Sequence, residues 1–126
     1  MRFIPHQNLE ESVEVITKLA AEYGLETEFL GGNPACTPID VTSNAYKLIE
    51  NTINETFEKL PVIPYVMTGA TDARFYQEIC DTCFRFSPIM FGPEVMKGMH
   101  GLNEYVDTAS LPGAVDFYKA LIKNNK

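Results

Sequence analysis

With 126 residues the chain is long enough to bury one core and short for two full domains, and 45% hydrophobic residues with eight Phe and six Tyr can fill an interior. A net charge of -7, with only ten Lys and Arg, argues against a surface that tracks phosphates, so no nucleic acid is expected as a partner. No apolar run approaches the roughly 18 to 20 residues of a membrane span, the first residues lack a signal-peptide pattern, and an odd number of cysteines favours a reducing compartment; the expectations are no membrane partner and a cytoplasmic location.

In chain order, Arg2 to Pro5 reads as a short strand. Asn8 and Glu11 then have the N-cap and N3 spacing of a capping box, and Leu9, Val13, Ile16, Ala20 and Tyr23 recur at steps of three and four. An amphipathic helix should therefore run to Tyr23, with Gly24 in the left-handed position past its end. Leu25 to Leu30 alternates apolar residues with Glu26 and Glu28, as a strand with one wet face would, and completes a β-α-β unit. Gly31 to Pro38 reads as a crossover and marks a boundary. A second helix is expected from about Ser43 to Lys59, laying Ala45, Leu48, Ile49, Ile53 and Phe57 on a sheet. Val62 to Met67 is the next expected strand, with Pro64 pointing to an edge or a strand end. A short helix through Phe75 and Ile79, a strand over Phe84 to Ile89 and a long loop containing Gly92, Pro93, Gly98, His100 and Gly101 follow. The last helix should be capped by Ser110, carry Pro112 in its first turn and bury a stripe of Leu111, Val115, Tyr118 and Ile122.

Three places could carry chemistry. His100 stands between glycines, which let a backbone turn sharply, and imidazole is a common zinc ligand. Its companions Glu104, Asp107 and His6 do not form a closed ligand set by spacing, and a lone loop histidine is more often a surface or hydrogen-bonded residue. The turn from Thr68 to Arg74 follows an expected strand and opens a helix, where backbone N–H groups hold anions and Arg74 could grip a carboxylate. The same residues also read as a plain turn capped by Thr71 or Asp72, with Arg74 solvated. Cys80-Asp-Thr-Cys83 has the spacing of a redox pair or half a zinc knuckle, but one further thiol, Cys36, is too few for a zinc ribbon, and the motif does not open a helix after a strand. It reads as two buried or half-buried thiols at a strand entrance.

The segments Gly69-Ala-Thr-Asp-Ala-Arg-Phe-Tyr76, Arg85-Phe-Ser-Pro88, Met99-His-Gly-Leu-Asn-Glu104 and Leu111-Pro-Gly-Ala-Val-Asp-Phe-Tyr118 together resemble the co-catalytic zinc exopeptidases of metallopeptidase family twenty. That family includes carboxypeptidase S, aminoacylase and the succinyl-diaminopimelate desuccinylases. The second and third segments look most like its carboxypeptidase S and N-acyl amino acid hydrolase branch. The start of the chain, Arg2-Phe-Ile-Pro5 and the helix after it, is similar to the second half of the family's lid domain, except that His6 stands where the family usually has glycine.

The resemblance implies an α/β fold: residues 1–33 as a β-α-β half of the lid, or dimerisation, domain and residues 34–126 as the C-terminal part of the zinc-binding lobe, a mixed sheet with flanking helices. It puts a zinc ligand at His100 and a contact to the substrate carboxylate at Arg74, with Gly69 and Thr71 in the same turn. The implied reaction is hydrolysis of a peptide or N-acyl amino acid, in which zinc activates a water and a glutamate serves as general base. The complete family enzyme holds two zinc ions. Its other ligands and that glutamate lie in parts with no counterpart in this sequence, which has no His-x-Asp and no Glu-Glu pair besides Glu10-Glu11. The expectation is therefore no catalytic residue here, at most weak zinc binding, no turnover by this chain alone, and a homodimer. The rival readings are one subunit of a two-chain metallohydrolase and a non-catalytic binding or interaction domain.

Overall fold

The structure, a computed structural model, describes residues 4–33, 35–67 and 69–126. Two compact units share the chain, Met1–Ile39 with Tyr65–Cys83, and Asp40–Pro64 with Phe84–Lys126. Among the described residues there is no strand and so no sheet: α-helices and one 3-10 turn are joined by irregular segments. The expected α/β fold, with its mixed sheet and β-α-β half-lid, is corrected accordingly. Arg2 and Phe3 of the strand expected over Arg2 to Pro5 lie outside the described residues, as do Pro34 of the crossover and Thr68 of the Gly69 turn; Ile4 and Pro5 form no strand.

In the first unit, α1 (Leu9–Glu22) begins where the local chemistry dictates. Asn8 is its N-cap, and its side-chain oxygen accepts from the Glu11 N–H at 3.0 Å, satisfying one of the donors that a helix start leaves open. At the other end Gly24 has φ +69°, its N–H donates to the Ala21 carbonyl at 3.0 Å, and the Leu25 N–H donates to the Ala20 carbonyl at 3.0 Å. That pair of bonds is a Schellman motif. Nothing stands within 4 Å of a Cβ added at Gly24, so the cost of Gly24→Ala should be conformational alone, about 1 to 2 kcal/mol. Faster amide exchange over residues 20–25 in that variant, compared by mass spectrometry with the parent, is the expected result.

Leu25 to Leu30 was expected as a strand, and the structure shows an irregular, exposed segment instead. It stays beside α1: the Thr27 hydroxyl donates to the Thr17 hydroxyl at 3.2 Å, and a Cβ at Gly32 would meet the Leu9 side chain at 3.3 Å. The alternation of Leu25, Thr27 and Phe29 with Glu26 and Glu28 suits a ribbon with one wet face, but a strand also needs a neighbour to share its ladder. Among the described residues none does. Leu9, Val13 and Ala20 of the expected α1 stripe are half-buried, whereas Ile16 and Tyr23 are exposed with Val15 and Leu19.

The second unit holds the densest packing. Ahead of α2 (Asn44–Thr56), Asp40 forms an Asx turn, its Oδ1 accepting from the Thr42 hydroxyl at 2.7 Å and the Thr42 N–H at 2.8 Å. Those two bonds, with the charge of Lys47, hold the Asp40 carboxyl below its ordinary range. Ser43 then caps α2 by accepting from the Tyr46 N–H at 3.1 Å. Instead of lying on a sheet, α2 packs on α5 (Leu111–Asn124). Ile53, Ala114 and Phe117 are buried, as is Thr52, whose hydroxyl is satisfied by the Leu48 carbonyl at 2.7 Å. The Phe117 ring lies among Phe57 at 6.2 Å, Phe86 at 5.0 Å and Tyr118 at 5.5 Å between centroids.

Two further expectations need correction in this unit. Residues 84–89 form no strand; Phe86 instead contributes its ring to the aromatic cluster. The residues of α5 chosen as its buried stripe, Leu111, Val115, Tyr118 and Ile122, are all exposed, and the buried face is Ala114 and Phe117 with half-buried Gly113, Ala120 and Leu121. Likewise Val62 to Met67 forms no strand; the Tyr46 hydroxyl donates to the Val62 carbonyl at 3.3 Å.

Candidate functional site

His100 is mounted on a short structural stem in the second unit. The expected long loop contains a helix, α4 (Pro93–Gly98), with Gly92 as its N-cap, Pro93 in its first turn and Val95 buried beneath it. Pro at the first helical position is pre-organised for a helix, and its missing N–H leaves nothing unsatisfied. Glu94 and Lys97 pair across one turn at 2.7 Å, on a face exposed enough for the pair to add little stability.

Beyond α4 the chain folds tightly over itself. The Gly101 N–H donates to the Gly98 carbonyl at 2.9 Å, and a Cβ at Gly98 would approach the Asn103 carbonyl oxygen to 3.4 Å. His100 at φ 60° and Asn103 at φ 62° both occupy the left-handed region. That region is uncommon outside glycine, and such residues persist where the surroundings hold them and cluster at binding sites. Here His100 is exposed at the tip of the tight turn that follows α4. Of its sequence companions, Asp107 is engaged, its Oδ1 accepting from the Ala109 N–H at 2.9 Å to open the 3-10 turn Thr108–Ser110 before α5. Glu104 is exposed, and His6 belongs to the first unit, in a turn closed by the Gln7 N–H on the Ile4 carbonyl at 3.0 Å.

Gly69, Thr71 and Arg74 lie in the first unit. The helix there, α3 (Ala73–Tyr76), is one turn long and ends before Ile79, and its N-cap Asp72 makes no side-chain capping bond. One turn aligns few peptide dipoles, so any anion in this region would depend mainly on the Arg74 guanidinium. Arg74 is exposed, and its guanidinium sits 4.6 Å over the Phe75 ring, a cation–π contact. Thr71 is half-buried and its carbonyl accepts from the Arg74 N–H at 3.3 Å.

Among the described residues, no three or more His, Cys, Asp and Glu side chains gather where they could hold a metal ion. A catalytic zinc takes three protein ligands, so the groups described do not fit a complete zinc centre, and His100 could supply only one of them. A shallow cavity of about 440 Å³ opens between the start of α2 and the end of α5, lined by Asn44, Lys47, Leu48, Asn51 and Asn124 among others, and His100 does not line it.

Comparison with known proteins places these features in a family. The N-fatty-acyl-amino acid synthase/hydrolase PM20D1 of Xenopus tropicalis is 29% identical over 128 residues, covering 98% of this chain and 24% of the relative. The Homo sapiens protein of that name is 29% identical over 126 residues, covering 98% of this chain and 25% of its own length. Probable carboxypeptidase S-like 1 of Dictyostelium discoideum is 32% identical over 98 residues, covering 76% of this chain and 20% of the relative. The chain thus spans about a quarter of the length of the curated relatives it matches. No solved structure matches it. The pattern that defines Peptidase family M20/M25/M40, whose peptidases are generally metal-dependent, matches residues 5–124, and the chain belongs to that family of hydrolases.

Proposed function

We propose that this chain is the C-terminal part of a metal-dependent hydrolase acting on a peptide or N-acyl amino acid, and that by itself it does not turn substrate over. The carrying observation is the match over 98% of this chain to only 24% of the Xenopus relative's length. In this reading residues 1–33 correspond to half of a lid and residues 34–126 to part of the zinc lobe. His100 is one zinc ligand, and its exposure in a tight turn with a left-handed backbone supports that role. Arg74, with Gly69 and Thr71 beside it, binds the substrate carboxylate, and the exposed guanidinium over Phe75 supports this. The printed names of the relatives, an N-fatty-acyl-amino acid synthase/hydrolase and a carboxypeptidase S-like protein, favour a substrate that ends in an amino acid carboxylate.

The expected result is no hydrolysis of dipeptides or N-acyl amino acids with added zinc, cobalt or manganese, and no tight zinc site by calorimetry. A lone imidazole lacks the chelation that further ordered ligands provide. Metal-dependent turnover that survives repurification and disappears in His100→Ala would overturn the inert reading. So would a tight, stoichiometric zinc site lost in the same variant.

The exposed apolar residues of α1 and α5 support self-association as a homodimer. They also favour a second reading, in which the chain is one subunit of a hydrolase whose other chain carries the rest of the family domain. Hydrolysis on mixing with a separately expressed zinc lobe of a family member, absent from either component alone, would select that reading.

A further inference from the structure

We propose that Cys80 and Cys83 are a redox-active dithiol pair, which closes to an intramolecular disulfide by exchange with a low-molecular-weight disulfide. All three cysteines are thiols in the structure. The segment Cys80 to Cys83 lies outside any helix and bends at Asp81. Both sulfurs turn in over that one bend: the Cys80 Sγ donates to the Thr82 carbonyl at 3.2 Å, and the Cys83 Sγ lies 3.6 Å from the Cys80 carbonyl it donates to. The fourth side chain thus already reaches the first residue's carbonyl, which keeps both sulfurs on the same short segment. The four residues belong to no described helix or strand. Disulfides across longer or rigid segments must also satisfy fixed spacing between α-carbons, a constraint that an irregular four-residue segment can meet by local adjustment.

The two thiols differ in access, which sets their order of reaction. Cys80 is exposed and Cys83 half-buried. The Cys80 thiol loses its proton, and the thiolate attacks one sulfur of the small disulfide, forming a mixed disulfide and expelling one small thiolate. The Cys83 thiolate then attacks the Cys80 sulfur, forming the intramolecular bond and expelling the second small thiolate. The two protons released from the cysteines leave with the two small thiols. The protein dithiol is oxidised by two electrons and the small disulfide is reduced by two.

The test uses the intact chain with cystamine, a cationic disulfide that the neighbouring Glu78 and Asp81 do not repel. After exposure and alkylation, the expected protein has lost the mass of two hydrogens, keeps one alkylatable thiol at Cys36, and yields a Cys80–Cys83 linked peptide. Cys83→Ser should stop at a stable mixed disulfide on Cys80, and Cys36→Ser should behave like the parent. A mixed disulfide on Cys80 that persists in the parent chain overturns the proposal. So does a bond that includes Cys36, a disulfide-linked dimer, or retention of all three alkylatable thiols.

Discussion

Phe117→Ala is expected to destabilise the second unit by about 3 to 5 kcal/mol, the range for removing a large aromatic side chain from a packed core. Phe117 is 1% exposed and its ring lies against three other aromatic rings, so truncation leaves a hole bordered by Phe57, Phe86 and Tyr118. Those neighbours are fixed to different elements, which limits how far they can collapse into it. A small domain has only about 5 to 15 kcal/mol of net stability, so the variant should lie near the edge of folding. Tyr118 is one residue along the same helix but 49% exposed, and Tyr118→Ala should cost far less. Urea unfolding of both variants, followed by far-ultraviolet circular dichroism, separates them. Equal losses, or a Phe117→Ala loss below about 1 kcal/mol, would place the core elsewhere.

A comparably large effect is expected on self-association. Leu111, Val115, Tyr118 and Ile122 follow one another at steps of four, three and four, forming a continuous apolar strip on the exposed side of α5. Each large apolar side chain gains roughly 1.5 to 3 kcal/mol on full burial. The homodimer proposed above covers this strip. Val115→Glu puts a charge in its middle and should raise the dimer dissociation constant at least about tenfold, as loss of a central interface residue does. Sedimentation velocity across a dilution series gives the answer. A compact monomer at high concentration, with Val115→Glu indistinguishable from it, would exclude the dimer. In α1 the corresponding substitution is Leu19→Glu, because Leu19 is exposed with Val15 and Ile16, whereas Val13 is half-buried.

What the sequence disclosed depended on range. The limits of α1 were legible because Asn8, Glu11 and Gly24 act within a turn of their own positions, and Ser43 marked the start of α2 for the same reason. The strands were not legible. Alternation in Leu25 to Leu30 describes a ribbon with two unlike faces, but hydrogen-bonded pairing is set by a distant partner that no local pattern names. The exposed face of α5 was mistaken for the buried one because α5 has two apolar stripes, and the larger side chains lie on the wrong one. Small Gly113 and Ala114 beside Phe117 allow close packing, a signal that a count of bulky residues passes over. α4 was hidden in an expected loop because Gly92 and Pro93 suit an irregular connection as well as they suit the N-cap and first residue of a helix, which is what they are.

The candidate site was legible in part. The glycines around His100 pointed to a sharp turn, and the structure has one. The left-handed conformation of Asn103 was missed, although asparagine is among the residues that adopt it most readily. The turn at Gly69 was read as the end of a strand opening onto a helix; with no described strand before it and one helical turn after it, little of that electrostatic argument survives. The distance from Arg74 to Phe75 could not be read from their adjacency.

Gly113 fixes how α5 is seated. A Cβ at this position would come within 3.1 Å of the Phe57 ring, so the backbone of the first turn of α5 lies almost against an aromatic edge. Glycine in a helix interior ordinarily costs about 0.8 to 1.0 kcal/mol relative to alanine, and replacing it usually helps. Here alanine would wedge against the ring, while Pro112 just before it holds the start of the helix. Position 113 therefore sets how near the start of α5 can come to that ring: a side chain here has to push the Phe57 edge back by a few tenths of an ångström, so glycine allows the closest approach of the two.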